Sequence, residues 1–164
     1  MHAHAQQVDA SQPAWWVGYW QSEEHAAEVR EVLREWFHVE YATGEDVIRI
    51  HVRRGDYVFS RQTLDPSWYA RAAAAARSAF PNLAVQIYSD DVPWCRENLG
   101  SFADAFIEGG TPEDDLSALS QAAVLVASPS TFSWWAGYLG GMPVLSPATT
   151  KSPLWDRLPG MRVR

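Results

Sequence analysis

A single cysteine, Cys95, occurs in 164 residues. One thiol excludes an internal disulfide and a cysteine-based metal cluster, and it fits a reducing compartment. Positive charge is also scarce. Thirteen Lys and Arg against 20 Asp and Glu leave a net charge of −7, so no basic surface is available for a nucleic-acid backbone or an anionic membrane. The N-terminus, MHAHAQQVDASQ, lacks the basic start and apolar run of a signal peptide. No apolar stretch approaches the length of a transmembrane segment. Apolar and charged fractions of 47% and 20% are those of a globular chain and exclude disorder and fibrous folds. The expectation is one soluble, cytoplasmic domain, because 164 residues suffice for one core and hardly for two.

Tryptophan, by contrast, is abundant, with nine in the chain. Flat indole faces suit pyranose rings, but core or interface area is the more frequent use of a Trp. An anionic ligand of such an acidic chain requires its few cations gathered at one point.

Residues 1–14 are polar, end at Pro13, and read as a flexible leader; the α/β domain is then expected over 15–164. WWVGYWQ (15–21) is too aromatic for a tail. Ser22 suits an N-cap for a helix reaching about Phe37, with Ala26, Val29, Val32, Leu33, Trp36 and Phe37 at helical spacing. A turn, YATGED, leads to a β-rich run, Val47 to Val52. Asp65-Pro66 opens an alanine-rich helix closed by Pro81. LAVQIYS (83–89) reads as a strand, DDVPWCRENL as a short helix, and FADAFIEGG as a short strand and turn. Pro112 to Gln121 is helical, AVLVAS (123–128) a buried strand, and Ser130 to Leu139 a helix stopped by Gly140-Gly141. MPVLSP (142–147) is expected as the last strand. This alternation predicts a Rossmann-like α/β domain, a parallel sheet with helices on both faces. Such sheets bind ligands beyond the C-terminal ends of their strands, at helix N-termini.

Four clusters follow strands. His51-Val52-Arg53-Arg54-Gly55-Asp56-Tyr57 holds the one dense cationic point. Arg offers a planar fork of donors for phosphate oxygens, and Asp56 is placed to hold Arg53 or Arg54; a loop ion-pair cluster would look the same. If Val52 enters the core, His51 and Arg53 share the other face. Ser130-Thr131-Phe132-Ser133 combines hydroxyls with free N–H groups at a helix start, which serves anion binding or ordinary capping. Asp90-Asp91 fits a divalent-cation site or acids favoured at a helix start. Asp114-Asp115 likewise fits helix-start charge, or a carboxylate accepting the N1–H and N2–H₂ donors of guanine.

In this order the pieces resemble a known family. HVRRGDY is similar to the HxRRxD motif of alpha-1,2-, alpha-1,6- and protein O-fucosyltransferases. DLSALSQAAVLVASPSTFSWWAGYLG resembles the alpha-1,2 segment that contains NSTFSWW, while WVGYWQSEEH and YSDDVPWC resemble two further stretches of bacterial members. From about Trp15 to Pro147 the chain resembles the GDP-fucose-binding half of the alpha-1,2-fucosyltransferase family (glycosyltransferase family 11-like), one half of a GT-B-type enzyme.

The resemblance implies inverting transfer of L-fucose from GDP-fucose to a hydroxyl of a glycan acceptor, without a metal or other cofactor. It implies that Arg53 contacts the donor's β-phosphate, that His51 and Arg54 lie near the nucleotide, and that Asp115 reads guanine. Ser130, Thr131, Phe132 and Ser133 would line the phosphate site. Asp56 and His51 are the nearest titratable candidates for a base. Two features depart from the family. Pro129 stands where Asn is usual and removes a backbone donor, and the N-terminal domain with its Gly-Gly-Leu-Gly-Asn-Gln-like motif has no counterpart. A partner chain or a further domain would then complete the acceptor side, with the protein in the bacterial cytoplasm or peripheral to the membrane. The competing readings are a GDP-sugar-binding module without catalysis and a GDP-fucose transferase of another linkage.

Overall fold

The computed structural model describes residues 23–39, 45–148 and 160–163. The expected leader, the aromatic stretch 15–21 and the Ser22 cap lie outside the described residues. Twelve elements are described: α1 (Glu23–Trp36), β1 (Glu45–Val52), α2 (Gly55–Ser60), α3 (Pro66–Ala79), β2 (Ala84–Ser89), α4 (Val92–Leu99), β3 (Ala105–Glu108), α5 (Pro112–Ser120), β4 (Ala122–Ala127), α6 (Thr131–Gly140), β5 (Val144–Pro147) and β6 (Gly160–Val163).

The strands form one sheet in the order β3-β2-β1-β4-β5-β6, parallel at every pairing. The expected Rossmann-like sheet is therefore observed, in the doubly wound order. Two elements differ from the sequence reading. MPVLSP is not the last strand, because β6 pairs alongside it from Gly160 to Val163. Helix α2 is the other addition. Both are too short, at four and six residues, to display a hydrophobic period.

Strand alternation divides the core in two. Ile48, Ile50 and Val52 of β1, with Val85, Ile87, Val124 and Val126, pack under α3 and α4, together with the buried Cys95. Leu125, Ala127, Tyr88 and Val144 turn the other way, against α1, α5 and α6. Burying one such Ile, Leu or Val contributes roughly 1.5–3 kcal/mol. On that second face β1 carries polar side chains, Arg49 and His51, both buried. Arg49 donates to the Ala118 carbonyl near the end of α5, and Arg34 of α1 donates to the Leu139 carbonyl near the end of α6. Each guanidinium thus meets the negative end of a helix.

Helix starts follow the capping signals in the sequence. Asp65 accepts from the Ser67 N–H ahead of Pro66, and Asp91 accepts from Trp94 N–H ahead of α4. Thr111 and Asp114 form a reciprocal capping box. At the end of α6, Gly141 takes φ = 75°, the left-handed cap that favours glycine.

Candidate functional site: a cleft at the switch point of the sheet

Strands β1 and β4 lie side by side, with β2 and β3 added on one flank and β5 and β6 on the other. The direction of winding reverses between β1 and β4, so the chain segments leaving them diverge and open a crevice at their C-terminal ends. A cleft of about 840 Å³ occupies this place, within the usual range for ligand sites. Ser128 N–H donates to the His51 carbonyl across the two strand ends at 3.2 Å, which fixes the cleft floor.

His51, Arg53 and Asp56 line the cleft from β1 and α2; Ser130, Thr131 and Phe132 line it from the start of α6, and Asp115 from α5. Asp90 lines it too, and seven of the nine residues that the resemblance singles out for the site therefore meet in one cleft. The other two do not line it. Ser133 is fully buried behind the wall. Its hydroxyl lies 2.6 Å from His51 Nδ1, 3.0 Å from Ser130 Oγ and 3.2 Å from Ser128 Oγ. Arg54 turns away from the cleft. Its guanidinium stacks 3.7 Å from the Trp94 ring centroid, and Nε donates to Asp91 Oδ2 at 2.9 Å.

Arg53 is held differently. Nε and NH2 both reach Asp56 Oδ1, at 3.0 and 2.9 Å, and NH1 reaches Asp90 Oδ2 at 2.9 Å. Asp56 thus holds Arg53 and not Arg54. Three of the five guanidinium N–H groups are engaged, which leaves two for a ligand. The pair Asp90-Asp91 is split between the two arginines. Among the described residues no group of three or more His, Cys, Asp or Glu side chains could hold a metal ion. None of the described helices is long and apolar enough to cross a membrane.

Electrostatics separate the titratable groups. Burial pushes the His51 imidazole down to about 4, against a raising influence from Asp90 and a further lowering one from Arg53, so the ring is neutral at neutral pH. Burial also pushes the Asp115 carboxyl above its ordinary value, opposed by a hydrogen bond from the Gly110 N–H and reinforced by the charge of Asp114. The hydrogen bond from Arg54 is the main reason the Asp91 carboxyl lies below its ordinary value. Asp114 is occupied by the capping box, so of the two acids only Asp115 lines the cleft. At the start of α6, Ser130 Oγ accepts from Ser133 N–H; the N–H groups of Thr131 and Phe132, ahead of it in the first turn, have no intrahelical acceptors.

Several lining residues are given no role by sequence reasoning: Tyr57 and Ser60 on α2, Gln62 after it, Ser89 at the end of β2, and the Gly109-Gly110 pair before α5. Tyr57 also ties α2 to the β4–α6 loop by donating to the Pro129 carbonyl at 3.3 Å. The glycine pair directly before a helix start is a legible signal. The α2 residues give none, because which of them face the cleft depends on a six-residue helix.

The model of the family described as Glycosyl transferase family 11 matches residues 2–152. An alpha-1,2-colitosyltransferase from Escherichia coli is 33% identical over 145 residues, covering 75% of this chain and 50% of that protein. Galactoside alpha-(1,2)-fucosyltransferase 2 from Mus musculus is 27% identical over 129 residues, covering 72% of this chain and 37% of its own length. The chain therefore spans half or less of the length of these relatives. Among solved structures, POFUT1 in complex with GDP gives a TM-score of 0.49 at 16% identity, covering 77% of this chain and 49% of that one. The alpha-1,6-fucosyltransferase NodZ, soaked with GDP-fucose, gives 0.46 at 17%, covering 80% and 47%. With its family model matched over most of its length, this chain belongs to glycosyl transferase family 11.

Proposed function

We propose that this chain supplies the donor site of a glycosyltransferase that moves L-fucose from GDP-fucose to a hydroxyl of a glycan acceptor, forming an alpha-1,2 link with inversion. The observation that carries this reading is the gathering of Arg53, the first turn of α6 and Asp115 around one cleft at the switch point. The Arg53 guanidinium and the first-turn N–H groups of α6 would take the diphosphate oxygens, and Asp115 would accept from the guanine edge.

In the transfer step the bond between the anomeric carbon and the β-phosphate oxygen breaks, and that electron pair leaves with GDP. The acceptor hydroxyl bonds the same carbon from the opposite face and loses its proton to solvent or to a base supplied with the acceptor. Arg53 and the α6 N-terminus stabilise charge on the departing diphosphate, the role a cation fills elsewhere, so the reading is metal-independent. His51, neutral and engaged through Nδ1, orients the wall rather than carrying charge. The acceptor would be held by a further domain or partner chain, since the relatives are about twice as long.

Calorimetric titration with GDP and GDP-fucose in EDTA, beside Arg53→Ala and a UDP control, tests the donor site. Binding that survives EDTA, prefers GDP and collapses in the variant supports the reading; no preference for GDP over UDP overturns it. A second reading is favoured by the 33% identical relative named for colitosyl transfer: the sugar delivered is colitose. Competition between GDP-fucose and GDP-colitose decides between them.

A further inference from the structure

The three charged groups that meet beyond the ends of β1 and β2, Arg53, Asp56 and Asp90, are not equivalent. Arg53 lies between two carboxylates, Asp56 and Asp90, so this cluster carries one net negative charge where an anionic ligand is to bind. Coulomb's law alone would make both acids unfavourable to a diphosphate. Their anchoring differs. Asp90 is fixed at both oxygens: Oδ1 accepts from the Arg54 backbone N–H at 2.8 Å, and Oδ2 accepts from Arg53 at 2.9 Å. Its side chain is 27% exposed. Asp56 touches Arg53 through Oδ1 alone and is 67% exposed, on the six-residue helix α2. Gly55 makes room for the arrangement. A Cβ there would stand 2.7 Å from Asp90 Oδ2, the oxygen that holds Arg53.

Resting on the donor-site reading above, we infer that Asp90 is a positioning residue that aims the Arg53 guanidinium into the cleft, whereas Asp56 is a place-holding anion that the incoming diphosphate displaces. Asp90 stays bound to Arg53 in both states. Asp56 releases Nε and NH2, so a ligand phosphate gains the paired edge of the fork in exchange for one exposed carboxylate. The site is thereby kept satisfied when empty without locking the cation away.

The two acids then have opposite effects, which a purely structural or a purely coulombic role for both would not give. GDP affinity is measured by calorimetry on the wild type and on Asp90→Asn, Asp56→Asn, Gly55→Ala and Arg53→Ala, with thermal unfolding confirming that each is folded. Asp90→Asn is expected to weaken GDP about tenfold although it removes a negative charge, because one charge-assisted bond to Arg53 is lost. That weakening persists in high salt, since it arises from geometry. Asp56→Asn is expected to tighten GDP a few-fold at low ionic strength, a gain that salt removes. Gly55→Ala, which changes no charge, is expected to weaken GDP as Asp90→Asn does.

Asp90→Asn binding GDP as tightly as the wild type or more tightly, or Asp56→Asn weakening it as much as Asp90→Asn, overturns the inference. The donor-site reading fails separately: it falls if Arg53→Ala binds GDP as the wild type does, whatever the two aspartates do.

Discussion

The imidazole Nδ1 of His51, at the end of β1, lies 2.6 Å from the Ser133 hydroxyl in the first turn of α6, across 82 residues of sequence. The contact joins the two elements that bound the cleft, and it is buried. Because burial holds the imidazole down at about 4 while an exposed His titrates near 6.5, the unfolded chain takes up a proton that the folded chain refuses. The stability that a neutral His51 contributes is complete above about pH 6.5 and is lost as pH falls towards 4, at up to about 1.4 kcal/mol per pH unit. Denaturant unfolding of wild type and His51→Gln at pH 7 and pH 5 checks this. The wild type should lose more stability between the two pH values than the variant, whose residue 51 does not titrate.

The two arginines of the first motif should separate in mutagenesis. Arg53→Ala is expected to abolish most GDP binding with little change in stability. Arg54→Ala, which removes the stack on Trp94 and the pair with Asp91, should cost about 1 kcal/mol of stability and weaken GDP much less. Parallel titration and thermal unfolding of the two variants give both numbers. Equal losses of GDP affinity would contradict the placement of Arg54 outside the cleft.

Asp115 offers a test of base selection. Asp115→Asn should reduce the preference for GDP over ADP and UDP by roughly tenfold or more, because the amide cannot accept both guanine donors. Since burial holds this carboxyl above the ordinary value, wild-type GDP affinity should decline on acidification at a higher pH than an exposed aspartate would give. That decline should be absent from Asp115→Asn.

Helix α6 carries the clearest packing predictions. Trp134 is 2% exposed and stacks on Tyr138 with ring centroids 4.8 Å apart, so Trp134→Ala should cost about 3–5 kcal/mol. A Cβ on Gly140 would overlap the Ser120 carbonyl oxygen at the end of α5; Gly140→Ala should cost about 1–3 kcal/mol through overpacking. Phe59, 90% exposed, is the contrast: Phe59→Ser should leave stability within about 0.5 kcal/mol. Chemical denaturation of the three variants compares them directly.

Much of this molecule is written locally. The β-rich run VIRIHV, the continuous apolar run AVLVAS, the Asp65-Pro66 start and the Gly141 stop each depend on neighbours a few residues away. Strands β1 and β4 and helices α3 and α6 are therefore legible in the amino-acid sequence alone. So is the placing of chemistry after strands, because a parallel α/β sheet exposes helix N-termini there whatever its sequence. That rule points to the His51–Tyr57, Asp90-Asp91, Asp114-Asp115 and Ser130–Ser133 clusters with no knowledge of atomic positions, and the structure selects the members that line the cleft.

Other features required the tertiary structure. Arg53 and Arg54 are adjacent and chemically identical, and only strand pairing of β1 with β2 decides that Asp90 and Trp94 arrive where they part the two guanidiniums. Ser133 reads as a lining residue in the sequence, yet its hydroxyl is buried against His51 and Ser128. Strand β6 and helix α2 have no readable period, and only pairing with β5 and packing beside the cleft define them. The physical reason is common to all of these. Hydrophobic period, capping and turn chemistry act over a few residues and so leave a trace in the sequence. Which of two equivalent side chains meets a given carboxylate is set by contacts between segments tens of residues apart, and those exist only once the sheet has formed.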